Sequence, residues 1–126
     1  MDLTPLIPQG RQIVESYGDG KFRVSGALYE HSILILPDRT VDWPVADIRT
    51  LSLESLALVA GAGESGSVNL LLIGCGPRMA PIPAALRASL RAKGIVIEPM
   101  DTGAAARTYN VLAAEGRKVA AALIVV

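Results

Sequence analysis

A chain of 126 residues that is 51% apolar has the material for one domain with a sizeable core, and it is too apolar and too weakly charged to be a disordered chain. Aromatics make up only 4%, so that core must be built from Leu, Ile, Val and Ala. Twelve basic residues balance twelve acidic ones for a formal net charge of +0, which excludes a global field that would draw in nucleic acid or an anionic membrane.

One cysteine leaves no internal disulfide and suits a reducing compartment. Residues 1–10 contain two prolines and neither a basic region nor an apolar run of signal-peptide length, so they read as an irregular lead-in. The longest apolar run, 119–126, falls well short of the ~20 residues of a membrane-spanning helix. The expectation is a cytoplasmic protein that is not integral to a membrane.

Residues 11–16 have a strand-like pattern, and Gly18, Asp19 and Gly20 form a turn in which glycine permits positive φ. Phe22 and Val24 alternate with polar neighbours as in a half-buried strand, which Gly26 ends. Residues 32–36 (S-I-L-I-L) give a third strand, stopped at Pro37 and Asp38. The stretch 11–36 is thus expected to be an antiparallel meander. Residues 41–43 are short and β-prone, and Pro44 keeps them at a sheet edge. Trp43, the only tryptophan, is expected to cover core.

Residues 52–60 fit a short helix capped by Ser52, with Leu53, Leu56, Ala57 and Ala60 on one face; a strand over 56–59 fits almost as well. Residues 61–67 (G-A-G-E-S-G-S) match the glycine spacing of a dinucleotide loop. A strand pattern follows instead of the helix whose amides would hold a pyrophosphate, and no acid appears before Glu98 to hold a ribose. A flexible surface loop is expected there.

From residue 69 the chain reads as two strand–helix–strand units sharing their middle strand. Residues 69–73 are a strand covered on both faces, left through Gly74, Cys75, Gly76 and Pro77. A helix then opens at Pro83, with Leu86 and Leu90 as its apolar stripe, and closes at Gly94. The strand at 95–98 lies parallel to the first by the right-handed crossover rule. Asp101 or Thr102 caps the next helix, which runs to about Glu115 and ends at Gly116. Residues 119–126 form the last strand.

No complete catalytic set appears. Cys75 lies just beyond a strand's carboxyl end, but the only histidine, His31, is remote in sequence, so a small packing residue is the expected role. One histidine and one cysteine cannot furnish a transition-metal site. Arg78, Arg87, Arg91 and Lys93 form an acid-free segment that reads as solvated helix surface, with docking of an acidic partner or nucleic-acid backbone as the alternative. On the last helix Ala105, Tyr109, Leu112 and Ala113 form the buried stripe. Arg107 and Asn110 project from another face, and Thr108 and Glu115 from a third. This crowding suggests a polar network in which Arg107 or Arg117 binds an anion or a partner's carboxylate. The equal alternative is that Asp101 and Thr102 cap, Glu115 pairs with an arginine, and nothing binds.

The runs L-L-L-I-G-C-G-P and M-D-T-G-A-A-A-R-T-Y-N-V-L-A-A-E-G-R resemble the Mth938-like "domain of unknown function" family over about residues 11–126, most specifically over 100–117. The resemblance implies an α/β fold: a single-domain three-layer sandwich around a mixed β-sheet, an N-terminal antiparallel meander followed by two βαβ units. It also implies a cytoplasmic bacterial protein related to a mitochondrial assembly factor for respiratory complex I, with no established enzyme activity; no cofactor is expected. The motif positions it carries over are Gly74, Gly76, Asp101, Thr102, Arg107, Thr108, Tyr109, Asn110, Glu115 and Arg117. The expected function is a non-enzymatic binding module for a respiratory or membrane-assembly subunit. A small-anion pocket or enzyme site at the carboxyl ends of strands 69–73 and 95–98, lined by Arg107, Thr108 and Asn110, is the alternative. The oligomeric state is not readable from the sequence.

Overall fold

The computed structural model describes residues 11–126; the expected lead-in over 1–10 lies outside the described residues. The strands are β1 (Val14–Gly18), β2 (Lys21–Val24), β3 (Ala27–Tyr29), β4 (Ile33–Ile35), β5 (Thr40–Asp42), β6 (Leu70–Gly74), β7 (Val96–Met100) and β8 (Val119–Leu123). The helices are α1 (Ala57–Glu64), α2 (Ala84–Arg91) and α3 (Thr102–Ala114). They make a mixed α/β fold with two sheets, ordered β1-β2-β3 and β5-β4-β8-β6-β7.

The larger sheet is central. β6 is parallel to both β7 and β8, whereas β4 is antiparallel to both β5 and β8. Alternation along its strands feeds two separate cores. Leu34, Leu71, Ile73, Ala120 and Ala122 face a cluster built with Trp43, Leu56, Val59, Leu86 and Leu90. Ile33, Ile35, Leu72, Ala121 and Leu123 face the other, built with Phe22, Val24, Ala105 and Tyr109. Both faces are therefore covered, which is why these strands read as continuous apolar runs. One outer layer is α1 and α2; the other is α3 lying beside the small sheet.

The meander needs two corrections. The strand expected at 32–36 leaves the first sheet and pairs with β5 and β8, and the third strand of the small sheet is β3, too short to show a period. The first strand begins at Val14, where a β-bulge between Val14 and Ser16 admits one extra residue. The turn at Asp19 and Gly20, with φ of 54° and 73°, is the two-residue hairpin type whose twist matches the strands.

The glycine-rich stretch 61–67 is also not simply a loop, since Gly61 and Gly63 lie within α1. A Cβ on Gly63 would sit 2.7 Å from the Lys93 carbonyl and 2.5 Å from Ile95 Cδ1, so the glycine allows α1 to pack closely on the turn before β7. The buried face of this helix carries Leu56, Val59 and Ala60, whereas Leu53 and Ala57 are exposed. Ser52 is not the expected cap: the 3-10 turn at Glu54–Leu56 that leads into α1 begins at Leu53 without a side-chain cap, and Ser52 Oγ instead accepts from the Ser55 amide within the turn (3.1 Å). Trp43 is buried, and its indole N–H donates to the Ser55 carbonyl (2.8 Å).

Candidate functional site

The residues 100–117 divide into two groups with different neighbours. The first ties strand ends together. Asp101 caps α3 by accepting from the Ala104 amide (2.8 Å), satisfying one of the helix's free N–H groups. Thr102 is fully buried; its hydroxyl donates to the Ile124 carbonyl (2.7 Å) and accepts from the Gly76 amide (2.9 Å). The Thr102 amide in turn donates to the Gly76 carbonyl (2.8 Å). A Cβ at Gly74 would lie 2.9 Å from Thr102 Cα, and Gly76 holds φ of 101°, so both positions require glycine. Gly74, Gly76, Asp101 and Thr102 thus form a knot that locks the start of α3 onto the ends of β6 and β8.

The second group faces β1. Asn110 bonds both backbone groups of Val14, its Oδ1 accepting from the amide (2.9 Å) and its Nδ2 donating to the carbonyl (2.8 Å). The amide side chain stands where a neighbouring strand's peptide would. Arg107 Nη1 donates to the Tyr17 hydroxyl, with the guanidinium carbon 6.0 Å from the ring centroid. Gly103 makes room for this contact, since a Cβ there would meet the Tyr17 hydroxyl at 3.0 Å and Arg107 Nη1 at 3.2 Å. Between β1 and α3 runs a cleft of about 360 Å³, walled by residues 14–17 and by Ala106, Arg107 and Asn110. Arg107 is exposed and makes no ion pair among the described residues.

Thr108 is half-buried, while Glu115 and Arg117 are exposed at the far end of α3, where neither forms an ion pair among the described residues. Arg107 and Arg117 are ten positions apart, about 15 Å along a helix, and do not share a site. The expected network therefore separates into a knot, a cleft and a solvated helix end. The cleft opens towards β1, which the expectation of a pocket lined by Arg107, Thr108 and Asn110 at the strand ends did not foresee. Tyr17 was missed because its tie to α3 is long-range; the one local hint is Gly103, a glycine in the first turn of α3 that makes room for a ring from elsewhere.

Tyr109 belongs to the core and is fully buried, and its hydroxyl has no hydrogen-bond partner among the described residues. Burial pushes its pKa up to about 12, against weaker opposing effects of the Arg11 charge and of the Gln12 backbone, which lies near the hydroxyl without meeting hydrogen-bond geometry. Cys75 is also buried, with Sγ near the Ile73 and Ala80 carbonyls (3.7 and 3.8 Å), the environment of a packing residue. His31 sits at the surface 3.3 Å from Asp42. The basic segment is partly spoken for: Lys93 pairs with Glu64 (2.9 Å) and Arg87 donates to the Ile97 carbonyl (2.9 Å). A larger cleft, about 550 Å³, lies between residues 36–39 and α1, away from every motif position; its arginine, Arg39, pairs with Asp38 (3.2 Å).

Comparison with known proteins agrees with this layout. The model of the family described as "Protein of unknown function (DUF498/DUF598)" matches residues 14–124. An uncharacterised protein of Rhodobacter capsulatus is 41% identical over 111 residues, 88% of this chain and 82% of that protein. The NADH dehydrogenase [ubiquinone] 1 alpha subcomplex assembly factor 3 of Xenopus tropicalis is 31% identical over 88% of this chain, which spans 60% of that protein's length. The solution structure of a Bordetella pertussis protein, a Mth938-like domain, superposes with a TM-score of 0.84 at 31% identity, covering 98% of this chain and 92% of that one.

Proposed function

The chain belongs to the DUF498/DUF598 family of proteins of unknown function, and on that footing we propose that it is a non-enzymatic binding protein that assists assembly of a respiratory, complex I-like or other membrane complex through protein–protein contacts. The observation that carries this reading is the 31% identity with the frog complex I assembly factor, extending over 88% of this chain. The geometry adds a surface suited to the task, in which Arg107 stands exposed beside a cleft with no carboxylate paired to it among the described residues. A guanidinium free to form a forked, charge-assisted bond is what a partner's carboxylate needs. The same observation favours a second reading, a small-anion site.

Affinity capture of the tagged protein from its own cells in mild detergent, with an Arg107→Ala variant alongside, tests both. The one side-chain hydrogen bond of Arg107 among the described residues goes to Tyr17, so the variant is expected to keep its fold, with a stability change within about 1 kcal/mol. Respiratory or membrane-assembly subunits are expected with the parent protein and depleted with the variant. Recovery of no such subunit by the parent would overturn the assembly reading. Binding of a small anion that requires Arg107 would then support the second.

A further inference from the structure

β1 is an edge strand, paired with β2 on one side only. Its register fixes which backbone groups face outward. Across the two-residue turn, Gly18 and Lys21 form the closing hydrogen-bonded pair, so Tyr17 and Phe22 form the next, non-hydrogen-bonded pair. The Tyr17 amide and carbonyl therefore point off the sheet, as do those of Val14 beyond the bulge. Asn110 holds the Val14 groups as a pairing strand would, whereas no described residue holds those of Tyr17. The cleft opens at this place, with Arg107 on its far wall. One of the five guanidinium N–H donors goes to the Tyr17 hydroxyl and no carboxylate takes the others among the described residues.

We propose that this cleft is a strand-addition site: an extended peptide segment lies along β1, exchanges backbone hydrogen bonds with Tyr17, and sets an Asp or Glu side chain against Arg107. Main-chain pairing supplies affinity in such a mode and the side-chain contact supplies selection. The cleft carries two charges, Glu15 and Arg107; Glu15 Oε1 accepts from the Gly26 amide, which leaves Arg107 as the charge free to meet an occupant and favours an acidic segment over a basic one. This inference rests on the protein-binding reading above and gives its partner a chemistry. Two of the three other outer edges, β7 and β3, argue the same way by contrast. On β7, Pro99 lacks an amide and Arg87 occupies the Ile97 carbonyl. The β3 edge has no such cleft or cation among the cavities described.

The test is titration of ¹⁵N-labelled protein with an acetylated, amidated heptapeptide Thr-Val-Thr-Asp-Thr-Val-Thr. Saturable shifts of the Tyr17 amide and the Arg107 side-chain N–H are expected. Replacing the Asp by Lys, or Arg107→Gln in the protein, should weaken binding about tenfold or more. N-methylating alternate residues on the pairing edge should abolish it while leaving the protein untouched. No shift up to several millimolar peptide overturns the site. So do equal shifts from sodium acetate alone, which mark a simple anion site, and concentration-dependent broadening of Tyr17 without peptide, which marks pairing between two copies. If capture still recovers respiratory subunits with no response to peptide, this inference fails and the assembly reading stands; the reverse result separates them the other way.

Discussion

Thr102 shows what a single hydroxyl does when, among the described residues, it is the only partner of two buried backbone groups. Replacing it with Val keeps the shape but leaves the Gly76 amide and the Ile124 carbonyl unpaired. Each such group costs ~1–3 kcal/mol, so Thr102→Val should destabilise by about 2–4 kcal/mol in urea unfolding, whereas Thr102→Ser should lose about 1. Tyr109 is the opposite case, a buried hydroxyl with no partner among the described residues. Its removal in Tyr109→Phe should change stability at pH 7 by less than ~1 kcal/mol. The difference emerges in alkali. With a folded pKa of about 12 against an unfolded value near ~10, the unfolded chain loses this proton first, so the contribution is whole below pH ~10 and disappears as pH rises towards 12. Thermal melts from pH 9 to 12 should show the parent losing up to ~2–3 kcal/mol that Tyr109→Phe keeps. Sequence alone names Asp101 or Thr102 as a cap. It does not reveal that Asp101 caps while Thr102 bonds to Ile124, just past β8 and 22 positions away, because no local pattern encodes that partner.

At the scale of elements, legibility followed the source of each element's stability. β6, α2, β7 and α3 each carry a period or an apolar run of their own, and they lie within a few residues of where their patterns place them. β3 carries no such signal in three residues and exists because β2 offers it an edge. The glycines in α1 disfavour helix intrinsically, by up to ~1 kcal/mol each relative to Ala. Packing of Leu56, Val59 and Ala60 overrides that tendency. The helix is thus held by tertiary contact, and Gly63 is the point of closest approach. Gly63→Ala would gain propensity in an isolated helix but would clash with the Lys93 carbonyl, which is backbone and yields poorly. A loss of about 1–3 kcal/mol in chemical denaturation is the expected outcome. A neutral or stabilising effect would show that α1 can lift away from the turn before β7.

For the whole molecule, the sequence discloses the α/β class and the parallel half because crossover connections are nearly always right-handed and strands buried on both faces look alike wherever they occur. The split of the N-terminal half into two sheets is hidden, since the choice of β4 to leave β2 and β3 is made by β8, some ninety residues away (Ile33↔Leu123). The candidate site was half legible for the same reason. Arg107 and Asn110 stand out on their helix, while Tyr17 and Val14 become their neighbours only once the small sheet lies against α3. The placement of β8 has a consequence for synthesis. It is the last of the eight described strands to leave the ribosome, yet it lies at the centre of the larger sheet, between β4 and β6. Until it emerges, β4 and β6 have no common partner, and both hydrophobic clusters lack the alternating side chains β8 contributes to each. The nascent chain must therefore carry open, apolar strand edges until residues 119–123 have been made. In that interval it depends on chaperones or on delay at the exit tunnel, rather than on its own fold, to keep it from pairing with other chains.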